Sequence, residues 1–214
     1  MRDGRASLGL ALTGALGLAL CVGQASAARA QEWSGEEGST SAGPTIEDYL
    51  KEAGPDAKLV NHGALKIDGR PVNCGTRPTV LNSNFDSWGG AFPGFLILNT
   101  KKITGLSTAV KLYVYSHECG HQFEGPDETK ADLFAIRRGV TRGWLDAVGM
   151  EDICTFISTL KGDSAHPPGS ERCETMRKYY RELVETEKQR TTSASASASA
   201  SASAPKAQAL GPAQ

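Results

Sequence analysis

The residues able to do chemistry are concentrated in one stretch, Val114-Tyr115-Ser116-His117-Glu118-Cys119-Gly120-His121-Gln122-Phe123, which contains the pattern HExxH. Histidines four apart share one face of a helix, so both imidazoles can meet a single metal ion. Glu118 lies about a hundred degrees round the helix from His117, where it can reach a water on that ion without becoming a ligand. The ion expected here is zinc, which lowers the pKa of water towards neutrality and polarises a carbonyl. Glu118 then has only to accept and relay a proton. The chemistry implied is hydrolysis of a peptide bond. Chance can produce such a pattern, but the chain has four histidines and two of them stand in it, on a helix preceded by apolar residues.

A catalytic zinc site takes three protein ligands and keeps one position open. Gly125-Pro126 stops the motif helix, and Asp127-Glu128-Thr129-Lys130-Ala131-Asp132 begins another. A tight helical hairpin would return the acidic first turn of the second helix to His121. Glu128 is long enough to be the third ligand, and Asp132, one turn on, can orient a ligating imidazole from behind. Asp127 reads as the helix cap, where negative charge is favourable. Asp127 and Asp132 stay open as alternatives for the third ligand. Tyr113 and Tyr115 are near enough to assist, and nothing in the sequence selects either. Cys119 occupies a variable position facing away from the metal side, which suits a disulfide partner or packed core thiol. His62, beside Gly63 in a turn, reads as ordinary surface.

Together these motifs resemble the gluzincin metallopeptidases, the group that includes the CAAX prenyl protease and the heat-shock membrane protease HtpX. Their signature pairs HExxH with a later ExxAD, matched here by Glu128-Thr129-Lys130-Ala131-Asp132. The resemblance implies Glu128 as third zinc ligand and Asp132 as the residue supporting the ligands. Those proteins also carry a His-Pro followed by an Arg, and His166-Pro167-Pro168-Gly169-Ser170-Glu171-Arg172 is similar. By that resemblance His166 would help stabilise the tetrahedral oxyanion, and Arg172 would anchor the acidic residues near the metal. The likeness spans roughly Phe95 to Tyr180. Only six residues separate His121 from Glu128, so the helical segments that lie between the motifs in those relatives are missing. The compact spacing also resembles small exported bacterial proteins with a His-Glu-Cys-Gly-His core.

The elements that must position these residues read as one α+β domain over 45–188. Thr45-Ile46-Glu47-Asp48 caps a short helix that Gly54-Pro55 stops. Short strands and hairpins follow, turned at His62-Gly63 and Asp68-Gly69. Asn82 to Pro93, rich in Asn, Gly and aromatics, reads as a long surface loop. Phe95 to Asn99 is a strand, either an edge open to an extended peptide or a plain core strand. From Ser107 the spacing turns helical: 107–123, then 127–138 closed by Gly139, a shorter helix around Trp144, one near 151–160, and 171 to about 188. Strands first and helices after implies a zincin-like α+β fold, a small antiparallel or mixed sheet packed on the HExxH helix.

Both ends look expendable. Residues 1–30 have the order of a secretory signal peptide, with Arg2 and Arg5, an apolar stretch from Leu8 to Val22, and small-x-small cleavage sites after Ala27 or Ala30. That stretch of fifteen residues falls short of the roughly twenty that a membrane span needs. No stable membrane insertion is expected after cleavage, and the destination reads as secreted or periplasmic. Residues 31–44 read as a linker, and 189–214, dominated by Ser-Ala alternation, as a disordered tail.

Export changes the meaning of the cysteines, because disulfides persist outside the cytosol. Beyond Cys21, four remain, Cys74, Cys119, Cys154 and Cys173, with three pairings open. A formal charge of −1 gives no basic surface for nucleic acid. The partner expected is a peptide or protein substrate. A catalytically inactive binding module of the envelope, stabilised by zinc or stapled by disulfides, is the alternative.

Overall fold

The structure is a computed structural model and describes residues 43–163 and 166–202. Both signal-peptide cleavage sites and most of the 31–44 linker lie outside the described residues.

Phe95-Leu96-Ile97-Leu98 is apolar at every position, which suits a strand covered on both faces. It forms β6 (Phe95–Leu98), buried throughout, in a four-stranded sheet ordered β1 (Ala57–Val60), β4 (Thr79–Asn82), β6, β5 (Gly89–Phe92). β4 and β6 are parallel, while β1–β4 and β5–β6 are antiparallel. The strand that the sequence leaves between edge and core is therefore a core strand. The sheet's edges are β1 and β5, and β5 lies inside the stretch expected to be a surface loop. Gly89-Gly90 has little strand propensity, and pairing with β6 is what makes it a strand. A separate hairpin joins β2 (Lys66–Ile67) to β3 (Arg70–Pro71). Its turn residues Asp68 and Gly69 have φ of 46° and 79°, as a tight two-residue hairpin demands.

Alternation along the strands sends side chains to two layers. Val80, Phe95 and Ile97 meet Ile46, Tyr49 and Leu50 of α1 (Ile46–Ala53). Leu96 and Leu98 face the other way, into the larger core with Leu112, Tyr113 and Tyr115 of α3 (Thr108–Glu124) and Ile136, Met150 and Ile153 beyond it. α2 (Thr100–Ile103) is a single turn capped by Asn99. α4 (Glu128–Thr141), α5 (Ala147–Ser158) and α6 (Gly169–Ala202) complete an α+β arrangement of six helices and a small mixed sheet among the described residues.

Three helical expectations change. α4 runs through Gly139, where a Cβ would come within 2.6 Å of Leu145, so this glycine admits the following turn and does not end the helix. No helix forms around Trp144, because that turn folds back by hydrogen bonds from Trp144 and Leu145 to the Gly139 carbonyl. α6 continues to Ala202, so residues 189–202 are helical where the sequence suggests a disordered tail. Alanine at alternate positions carries no helical penalty and serine a small one.

The cysteines pair as Cys74–Cys119 and Cys154–Cys173. Among the described residues no helix is long and apolar enough to cross a membrane.

Candidate metal centre

α3 begins at the cap Ser107 and ends at Gly125, whose φ of 75° releases the chain from the helix. Asp127 then caps α4, its side chain accepting from the Lys130 amide at 3.0 Å. The two helices pack closely because Gly120 has no side chain: a Cβ there would lie 2.9 Å from Ala131 Cα. That approach brings the first turn of α4 against the last turns of α3.

Donor atoms of three side chains meet in the gap. His117 Nε2 and His121 Nε2 are 3.1 Å apart, His117 Nε2 and Glu128 Oε2 3.2 Å, and His121 Nε2 and Glu128 Oε1 3.3 Å. His117, His121 and Glu128 form the group of side chains able to hold a metal ion among the described residues. Asp127 is the cap and stands outside that group. Asp132 also stands outside it, its Oδ1 lying 2.8 Å from the far nitrogen of His117, Nδ1. His121 is oriented from behind by the Gly125 carbonyl, 2.8 Å from Nδ1. The turn that ends α3 thus also fixes one imidazole.

Electrostatics fit a cation. Burial works against a charged His117, yet Asp132 and Glu128 overcome it and raise its pKa to about 10. Burial likewise opposes ionised Glu128 and Asp132. Contacts with His117 and His121 hold Glu128 well below the usual carboxylate range, and Arg172 and His117 hold Asp132 at about 2.

Glu118 sits beside this group and touches none of its donor atoms. Burial raises its pKa, against the lowering effect of His117 and His121. Its neighbour across the gap is the open strand β5, for a Cβ on Gly89 would fall 2.7 Å from Glu118 Cγ. Gln122, the residue after the motif, holds the other end of that strand. Its amide nitrogen donates to Phe92 O at 2.8 Å and Phe95 O at 3.2 Å, and its oxygen accepts from the Gly94 amide at 3.2 Å. The motif helix therefore grips β5 at both ends.

The third motif also arrives at this place. His166 Nε2 lies 3.4 Å from Glu128 Oε1, and its Nδ1 is 2.8 Å from Asp163 Oδ1, so Asp163 orients the ring. Arg172 donates to both oxygens of Asp132, Nε to Oδ2 at 2.8 Å and Nη2 to Oδ1 at 2.7 Å. Of the two tyrosines, Tyr113 reaches this cluster: its hydroxyl donates to Asp132 Oδ1 at 2.5 Å. His62 is an exposed turn residue, and Cys119 is a buried disulfide half.

His117, Glu118, His121, Glu128, Asp132, His166 and Arg172 thus fall within one cluster, and Asp127, the open alternative for third ligand, stands outside it. The residues missed are Gly89, Gln122 and Asp163. Gln122 carried a signal, since it stands four residues after Glu118 and therefore shares its face of the helix. Gly89 and Asp163 carried none, because their roles depend on pairing and loop path. No known protein family, no curated protein and no solved structure matches this chain.

Proposed function

We propose that the protein is an exported zinc-dependent metallopeptidase cleaving extended polypeptides in the cell envelope or outside the cell. The observation that carries this is the convergence of His117, His121 and Glu128, with each imidazole Nε2 3.1 Å from the other and 3.2 to 3.3 Å from one Glu128 oxygen. Ligands on a tetrahedral ion with bonds of about 2.0–2.1 Å are about 3.3–3.4 Å apart, so these side chains need almost no rearrangement to bind zinc. Bound there, zinc supplies Lewis acidity and brings the pKa of water near 7.

The chain's own residues supply the rest. A carboxylate adjacent to the ligands but not among them has no part in a purely structural site, which favours Glu118 as the base that takes a proton from water and returns it to the leaving amine. Burial raises its pKa, which strengthens it as a proton acceptor. His166, steadied through Nδ1 by Asp163, presents Nε2 towards the site, where with both ring nitrogens protonated it would donate to negative charge developing on the carbonyl oxygen. The free edge of β5 offers main-chain pairing to an extended peptide, and its Gly-Gly-Ala sequence keeps side chains out of the way. Export is supported by the N-terminal sequence pattern and by two disulfides.

Elemental analysis of the purified protein, paired with cleavage of an unstructured protein substrate, tests the reading. One zinc per chain, and cleavage lost in Glu118→Gln with zinc retained, is the expected result. Zinc without cleavage in the wild type favours the inactive binding module, and absence of zinc ends the proposal.

A further inference from the structure

Asp132 is crowded on one side. A carboxylate offers about four lone-pair positions over two oxygens. Oδ2 receives Arg172 Nε at 2.8 Å. Oδ1 is approached by three donors: Tyr113 OH at 2.5 Å, Arg172 Nη2 at 2.7 Å and His117 Nδ1 at 2.8 Å. Three donors compete for two lone pairs, and the loser is visible. His117 Nδ1 is a buried polar atom with no hydrogen-bond partner, although the oxygen is close, because the approach is off the line of its N–H.

Arg172 fixes Asp132 with two charged hydrogen bonds, so Tyr113 is not needed to orient the carboxylate. Its separate effect is to occupy Oδ1. Tyr113 is buried on α3 one turn before His117, so the helix itself delivers the hydroxyl to the oxygen that His117 faces. A ligating imidazole whose far N–H is bonded to a carboxylate is a more basic ligand and holds metal more tightly.

We propose that Tyr113 is a positioning residue that keeps the His117–Asp132 hydrogen bond below full strength and thereby sets the metal affinity of His117. The inference rests on the metal-site reading above. A weaker ligand bond leaves the ion more electron-poor, which favours polarisation of a substrate over retention of the metal.

Tyr113→Phe removes only the hydroxyl. Chelator competition with Zn(II) and Co(II) is expected to give an affinity about tenfold higher than wild type, the low end of the scale for changes behind a ligand. The metal-free variant should be no more stable to urea than wild type, which separates the gain from general stabilisation. In an Asp132→Asn background the same substitution should leave affinity unchanged, since the contested oxygen has lost its charge. Equal or lower affinity in Tyr113→Phe, or an undiminished gain beside Asp132→Asn, overturns the inference while the metal site stands. A wild-type protein that takes up neither ion overturns the site and this inference together.

Discussion

Gly120 and Ala131 touch where α3 meets α4, and an added Cβ on Gly120 would sit 2.9 Å from Ala131 Cα and 3.0 Å from its carbonyl oxygen. Both neighbours are backbone and cannot swing aside. In an exposed helix interior, glycine to alanine stabilises by about 1 kcal/mol. Here the sign reverses, because the helices must part, at a cost of about 1–3 kcal/mol for overpacking. Gly120→Ala should therefore be destabilised in urea unfolding and should bind zinc at least tenfold more weakly, as His121 and Glu128 move apart. A variant as stable as wild type with unchanged zinc affinity would show that the two helices have slack.

Gly89→Ala tests a different contact. Its Cβ would meet Glu118 Cγ at 2.7 Å and Oε1 at 3.0 Å, and a flexible side chain can yield where backbone cannot. Stability should change by less than about 1 kcal/mol, within the range of tolerated substitutions. Zinc binding should persist, because Glu118 is outside the group of donors. Cleavage should fall by about a hundredfold, the lower bound for loss of a positioned proton acceptor. Full activity in this variant would mean that Glu118 works from another rotamer.

The site was more legible than the fold around it. His117, His121, Glu128 and Asp132 are separated by helical intervals across one short turn, so local geometry alone places them together. The Gly of HECGH and the Ala of ETKAD, silent as chemistry, prove to be the contact that closes the hairpin. β5 was hidden because Gly89-Gly90 has little strand propensity of its own, and its strand character comes from pairing with β6. The end of α4 was misjudged because Gly139 looks like a helix stop in sequence and acts as space for Leu145 in three dimensions. Tyr113 and Tyr115 could not be separated without knowing that α6 returns Arg172 to the first of them.

The Cys74–Cys119 bridge closes a sequence separation of 45 residues and the Cys154–Cys173 bridge one of 19. Loop-closure entropy assigns about 4 kcal/mol to the first and about 3 kcal/mol to the second. The first also fastens the motif helix to the segment carrying Arg77, whose guanidinium donates to the Gln122 carbonyl at 3.3 Å. Cys74→Ser with Cys119→Ala should lower unfolding stability more than Cys154→Ser with Cys173→Ala, and should weaken zinc binding where the second pair affects it less. Urea unfolding and chelator competition on both double variants give the comparison. The reverse order would place the burden of the site on α5 and α6.

Acid and alkali should each loosen the metal-free protein, from opposite groups. Asp132 is held at about 2 against an ordinary 3.8: burial pushes it up, and the hydrogen bonds from Arg172 together with the close approach of His117 more than offset this. A depressed carboxylate contributes its stability above the unfolded pKa and loses it as pH falls through the folded one. The loss should run from about pH 4 to pH 2 and amount to on the order of 2 kcal/mol, with Glu128 acting in the same direction. His117 is raised from 6.5 to about 10, so its contribution is complete below pH 6.5 and disappears as pH rises through 10. Chelator-treated protein should thus be most stable between about pH 4 and 6.5. The two arms share the His117–Asp132 pair, so their sizes do not add. Asp132→Asn should flatten both arms, and a wild-type stability that is level from pH 3 to pH 9 would mean that the cluster is not ionised as described.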